Sequence, residues 1–171
     1  MRCVLEQYPI MEFLDRLPFF KEFTNHEKVK LVDNDGIFEK YEDGDTIVKE
    51  GDKGSAIFVV LTGSIRITRT TGTPVQQGHI SLQQPEEITI AELKPGSIFG
   101  EVSMISKQPR NTNALVNSQE VVVMKITQEV IESFNSVVQR KFQTQLIMTL
   151  VNRLNDMNSK YIKLKSNPHP T

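Results

Sequence analysis

Apolar residues recur at helical spacing at both ends of the chain and fall into short runs between them. Leu5, Ile10, Phe13, Leu14 and Leu17 predict a helix over 4–16, ended near Pro18. Phe19, Phe20 and Phe23 follow as a compact aromatic knot. Thr24, with Glu27 three residues on, has the spacing of a capping box. It opens a second short helix whose apolar positions are Val29, Leu31 and Val32, and helix is expected to about Asn34.

From Gly36 the pattern changes to short apolar runs separated by Gly, Asp and Pro. Strands are predicted over 37–41, 46–49, 56–61, 64–68, 88–93, 97–99, 113–116 and 121–126. The run 56–61 is continuously apolar, whereas 64–68 alternates with Ile65 and Ile67 inward. Many short strands with frequent turn signals indicate an antiparallel sandwich or barrel. The Thr, Gly, Gln and Pro-rich stretch 70–87 reads as a long exposed hairpin connection, with a strand fragment at His79–Leu82.

After Ile126 helical spacing returns. Thr127 is placed to cap a short helix carrying Val130, Ile131 and Phe134 on one face. A much longer helix is predicted from Ser136 to Lys165, since no Gly or Pro intervenes before Pro168. At 1.5 Å per residue it spans roughly 45 Å. Phe142, Leu146, Leu150, Met157, Tyr161 and Leu164 form its main stripe, which Ile147, Val151, Leu154 and Ile162 widen. The apolar arc reaches about 200°, where a helix lying on one body needs only ~100°. The excess predicts a second surface, most simply the same helix of another copy.

The expected fold is therefore α+β, mainly β: an antiparallel β-roll or jelly roll with N-terminal helices and a long C-terminal helix. The expected segments are an N-terminal helical segment over 1–35, a roll over 36–126, hinge and dimerisation helices over 127–165, and a tail over 166–171.

Composition narrows the function classes. A net charge of −1 in 171 residues does not favour non-specific binding to DNA or to an acidic membrane. One cysteine, Cys3, allows no internal disulfide and fits a reducing compartment. Glu6, Glu12 and Asp15 among the first apolar residues are unlike a signal peptide, and no run approaches the ~20 apolar residues of a membrane helix. A cytoplasmic location is expected. The three histidines, His26, His79 and His169, are far apart, so no metal spacing is seen. No Gly-x-Ser-x-Gly elbow or Cys–His pairing marks a nucleophile, and the expectation is a non-enzyme without catalytic residues or cofactor.

The candidate chemistry lies in 95–116. Phe99 ends a short strand, and Gly100 allows close approach to a ligand. Glu101 to Ile105 read as one helical turn whose first N–H groups lack internal partners. Arg110 returns nine residues after Glu101 and supplies a charged fork of donors. An acid for a hydroxyl, with an arginine beside free N–H groups, suits a sugar phosphate carrying one negative charge.

In this order the residues resemble the cyclic-nucleotide-binding domain family, over about residues 12–160. The likeness rests on Leu17-Pro18-Phe19-Phe20, Ile47-Val48-Lys49-Glu50-Gly51-Asp52, Phe58-Val59-Val60 with Gly63, Phe99-Gly100-Glu101, and Pro109-Arg110. The resemblance implies that Gly100, Glu101, Val102 and Ser103, after Phe99, form a phosphate-binding cassette. Glu101 then accepts from the ribose 2′-hydroxyl and Arg110 pairs with an exocyclic phosphate oxygen. Asn111 and Thr112 line the same edge, and Asn158 of the long helix is the candidate for touching the purine. Many members carry Ala-Ala or Thr-Ala after the arginine, where this chain has Asn111-Thr112-Asn113. A threonine directly after the arginine is associated with cGMP preference in eukaryotic members. Its absence points to cAMP as the ligand ahead of cGMP.

The implied function is a cyclic-nucleotide sensor that relays binding to its C-terminal helices, as a homodimer acting on an effector protein. Two alternatives stay open: a degenerate roll used for dimerisation or docking, and the sensor half of a transcription regulator without its DNA reader. Only a few residues follow Lys165, so direct DNA binding is not expected of this chain, nor is membrane contact. A cupin-like enzyme barrel lacks its strand-borne histidine ligands.

Overall fold

The computed structural model describes residues 4–71 and 86–166, with side chains from Pro9 onward. The fragment at His79–Leu82 lies outside the described residues. Thr70, Thr71, Glu86 and Glu87, read as part of the same connection, belong instead to flanking strands. The chain divides into two compact units, Asp35–Gln128 and a helical one of Met1–Asn34 with Glu129–Thr171.

The first unit is the roll. Its strands are β1 (Phe38–Glu42), β2 (Thr46–Val48), β3 (Ala56–Thr62), β4 (Ile65–Thr71), β5 (Glu86–Leu93), β6 (Ile98–Phe99), β7 (Asn113–Val116) and β8 (Glu120–Thr127). They form two four-stranded sheets, ordered β1-β8-β3-β6 and β2-β7-β4-β5, with every pairing antiparallel. This is the strand order of a jelly roll. Thr127 is the last residue of β8 and directly precedes α4 (Gln128–Glu132).

The core explains the apolar runs. Val48, Phe58, Val60, Ile65, Phe99, Ala114, Val116, Val121 and Val123 form one buried cluster. In β3, Ala56 to Val60 are all buried, as a continuous apolar run requires of a strand covered on both faces. Ile65 is fully buried and Ile67 half-buried, in keeping with the alternation in β4. Phe58 is the register partner of Phe99, and their rings stack with centroids 4.9 Å apart. That pair ties the end of β6, and so Gly100, to the middle of β3.

The helical unit contains α1 (Val4–Arg16), a 3-10 turn (Pro18–Phe20), α2 (Asn25–Val32) and α5 (Ser136–Ser166). The capping box forms: Thr24 Oγ1 accepts from Glu27 N–H, and the Glu27 carboxylate accepts from Thr24 N–H at 2.7 Å. The Glu27 carboxylate also accepts from Lys141 Nζ of α5 at 2.8 Å. The aromatic knot closes on α5, with the Phe23 and Phe142 rings 4.8 Å apart. Burying a side chain of this size contributes roughly 1.5–3 kcal/mol.

On α5 only Val138, Phe142 and Leu146 are fully buried. Beyond them Val151, Leu154, Met157, Tyr161, Ile162 and Leu164 are exposed, Leu164 by 74%. The predicted stripe is thus two features on one helix, a short core-facing segment and a long solvent-facing apolar one.

Candidate functional site

The residues after β6 build the site from a forced turn. Gly100 sits at φ 84°, ψ −1°, in the left-handed region. A Cβ there would lie 2.7 Å from the Ala56 carbonyl oxygen and 2.7 Å from Arg110 Nη1. Both conformation and space therefore demand glycine. The turn launches α3 (Glu101–Ser106), whose Glu101, Ser103 and Met104 are buried while Val102 is partly exposed.

Glu101 is only 1% exposed, and its Oε2 is wholly buried. A carboxylate enclosed this far needs a cation or strong donors within its field. Arg110 supplies charge of that sign, and the two interact electrostatically.

Arg110 is held at both ends. Its N–H donates to the Asp52 carbonyl, and its own carbonyl accepts from Gly51 N–H, each at 2.8 Å. The loop between β2 and β3 therefore grips the backbone. The guanidinium, 7% exposed, donates through Nη1 to Gly100 O at 2.8 Å and Ser103 Oγ at 2.7 Å, and through Nη2 to Ala56 O at 2.8 Å. All three acceptors are neutral. Burial draws the guanidinium below its ordinary pKa, and the Glu101 charge opposes that shift. Arginine remains protonated regardless. The result is a cation and an acid, both buried, beside the start of α3.

The other expected residues divide. Phe99, Gly100, Glu101, Ser103 and Arg110 come together, with Val102 on the outward side of α3. Asn111 is exposed and Thr112 half-buried immediately after Arg110. Asn113 is a β7 residue whose amide is used internally: Oδ1 accepts from Glu50 N–H at 2.7 Å, and Nδ2 approaches Thr68 Oγ1 and Glu87 Oε1 at 3.4 Å. Asn158 lies on the exposed part of α5, in the helical unit.

Sequence reasoning missed the segment 53–56. Its signal was the Gly54 that stands two residues after the Ile47-Val48-Lys49-Glu50-Gly51-Asp52 motif. A cavity of about 400 Å³ is lined by Lys53, Gly54, Ser55, Ser103, Lys107, Gln108 and Pro109. Of the expected residues only Ser103 lines it. Lys107 ends α3 at φ 58°, uncommon for a side chain-bearing residue, and its Nζ donates to Gln128 Oε1 at 3.1 Å. Among the described residues no group of three His, Cys, Asp or Glu is placed to hold a metal, and no helix is long and apolar enough to cross a membrane.

The family model described as "Cyclic nucleotide-binding domain" matches residues 38–136. The chain is 31% identical over 133 residues to human cGMP-dependent protein kinase 2, covering 78% of this chain and 15% of the kinase. It is 28% identical over 101 residues to the cAMP-dependent protein kinase regulatory subunit of Dictyostelium discoideum, covering 58% of this chain and 28% of that protein. The chain thus spans a small part of the curated relatives it matches. Among solved structures it superposes on a cyclic nucleotide-binding domain from Methylobacillus flagellatus with a TM-score of 0.70. That match has 20% identity and covers 93% of this chain and 84% of the other.

Proposed function

This chain belongs to the cyclic nucleotide-binding domain family, and from that premise we propose that it is a regulatory sensor for a purine 3′,5′-cyclic monophosphate, cAMP in preference to cGMP. One observation carries the reading. A buried arginine and a buried glutamate flank the Gly100 turn, and the arginine's three hydrogen bonds all go to neutral acceptors. A cyclic phosphodiester brings a charged acceptor to a guanidinium whose hydrogen-bond acceptors are all neutral. The ribose hydroxyl is then the natural donor to Glu101.

Binding proceeds by exchange. The phosphate takes the Nη1 donors from Gly100 O and Ser103 Oγ, and the Ala56 carbonyl keeps Nη2. Asn111 and Thr112 complete the phosphate edge. Asn111 has no hydroxyl at the position after the arginine, which supports adenine over guanine. The printed names of the relatives include both a cGMP-dependent and a cAMP-dependent kinase protein. Base choice therefore rests on residues of this chain.

The signal passes through α4 into α5. Gln128, the first residue of α4, is pinned to the roll by its N–H on Ser55 O at 3.0 Å and its side chain on Lys107 Nζ. Movement of α3 on binding pulls at that second bond. The exposed apolar face of α5 pairs with another copy, and the output is a changed dimer or effector surface in the cytoplasm, without chemistry of its own. The segments act as helical segment (1–35), sensor roll (36–126), hinge and dimerisation helices (127–165) and tail (166–171).

Isothermal titration of the full chain with cAMP and cGMP tests the reading. Binding of cAMP at micromolar concentrations, tighter than cGMP and lost in Arg110→Ala, is the expected result. No heat with either nucleotide at millimolar concentration overturns it and leaves a docking module.

A further inference from the structure

Gly54 has no conformational reason to be glycine. Gly36, Gly44, Gly51, Gly63, Gly96 and Gly100 all occupy positive φ, and Gly54 does not. An alanine is therefore compatible with its backbone, and such a change tends to stabilise by restricting the unfolded chain. The three heavy atoms nearest to a Cβ at Gly54 all belong to one side chain: Arg110 Nη2 at 2.9 Å, Nε at 3.0 Å and Cζ at 3.3 Å.

These three atoms define one edge of the guanidinium. Of its five N–H donors, Nη1 serves Gly100 O and Ser103 Oγ, and Nη2 serves Ala56 O. The Nε–Nη2 edge is packed against Gly54 instead. The group is thus located from two sides, by carbonyl and hydroxyl acceptors on one and by the bare Cα of Gly54 on the other. We infer that Gly54 is a positioning residue for ligand binding: its missing side chain is the space that lets the Arg110 guanidinium sit where it can hand Nη1 to an anion.

The physical consequence is selective. A guanidinium is the far end of a flexible side chain, so a methyl group at position 54 displaces it cheaply while the fold is kept. The charge moves by a few tenths of an ångström or more, and the Nη1 geometry is lost. Gly100 contrasts with this, because a Cβ there also meets the Ala56 backbone oxygen and strains the turn. Gly54→Ala separates recognition from stability in a way that Gly100→Ala cannot.

The inference rests on the cyclic-nucleotide reading for its ligand, but not for its geometry. Gly54→Ala should bind cAMP on the order of tenfold more weakly, the value of one charge-assisted hydrogen bond. Its Tm should stay within a few degrees of wild type, since Nη2 keeps Ala56 O and alanine restricts the unfolded chain. In the ligand-free protein the Arg110 Nε–H should exchange slowly with solvent by NMR, and Gly54→Ala should remove that protection. Wild-type affinity in Gly54→Ala overturns the inference, as does a Tm lowered by more than a few degrees, since the methyl then strikes something rigid. If the wild type binds neither cAMP nor cGMP, the proposed function falls and the exchange measurement alone decides. Lost protection then sustains the positioning role, and retained protection refutes it.

Discussion

Arg110 Nη1 donates to Ser103 Oγ at 2.7 Å, so the side chain expected to hold a phosphate is also fastened to α3. The same Nη1 reaches Gly100 O. Both acceptors lie at the beginning of α3. The guanidinium therefore ties the start of α3 to β3.

Arg110→Ala should weaken cyclic-nucleotide binding by about 2–5 kcal/mol, the cost of leaving a desolvated anion without its partner. It also strands the Ala56 and Gly100 carbonyls, for a stability loss of roughly 1–3 kcal/mol. Arg110→Lys keeps the charge but cannot bridge Ala56 O, Gly100 O and Ser103 Oγ at once, and should fall between the two. Titration calorimetry and denaturant melts measure both effects.

Glu101→Gln should cost ~1–3 kcal/mol in cAMP affinity if the buried carboxylate accepts the ribose 2′-hydroxyl. The 2′-deoxy analogue supplies the control. Wild type should lose affinity for it, and Glu101→Gln, whose amide oxygen still accepts but carries no charge, should discriminate between the two nucleotides less. An equal loss for the two nucleotides on mutation assigns Glu101 to the structure of α3 instead.

Acid should weaken the helical unit through Glu27. Burial raises the pKa of this carboxyl, but the bonds from Lys141 and from Thr24 N–H outweigh it, and the net shift is downward. A depressed folded-state pKa contributes stability that is present above the unfolded carboxyl value of about 4.3 and lost as pH falls through the lower folded value. Glu27→Gln can keep the capping contact while removing the charge. Its melting temperature should lie below wild type at pH 7 and converge on it at strongly acid pH.

Leu154→Glu should dissociate a dimer formed through α5. Leu154 is 57% exposed in the single chain, so the substitution leaves the chain's own fold intact, and any fall in melting temperature reports the lost dimer. Light scattering should show self-association weakened about tenfold or more, because a buried seam does not accept an unpaired carboxylate. A wild-type chain that is monomeric at millimolar concentration excludes the dimer.

The sequence by itself determined whatever depends on near neighbours. The capping box at Thr24 and Glu27, the continuous apolar run of β3, the alternation in β4 and the span of α5 follow from periodicity and local backbone preference. The Phe99-Gly100-Glu101 motif and Arg110 were legible for the same reason, since a fixed spacing of unlike residue types survives in one dimension. Tertiary structure alone decided what those residues touch. Pairing Phe58 with Phe99 brings Ala56 O to Arg110, and no local pattern encodes that contact. It also gave Gly54 its meaning and committed the Asn113 amide to Glu50, Thr68 and Glu87. On α5 it divided one apolar stripe into a buried beginning and an exposed remainder. Helical periodicity says which face is apolar, and only the packed neighbours say how much of it is covered.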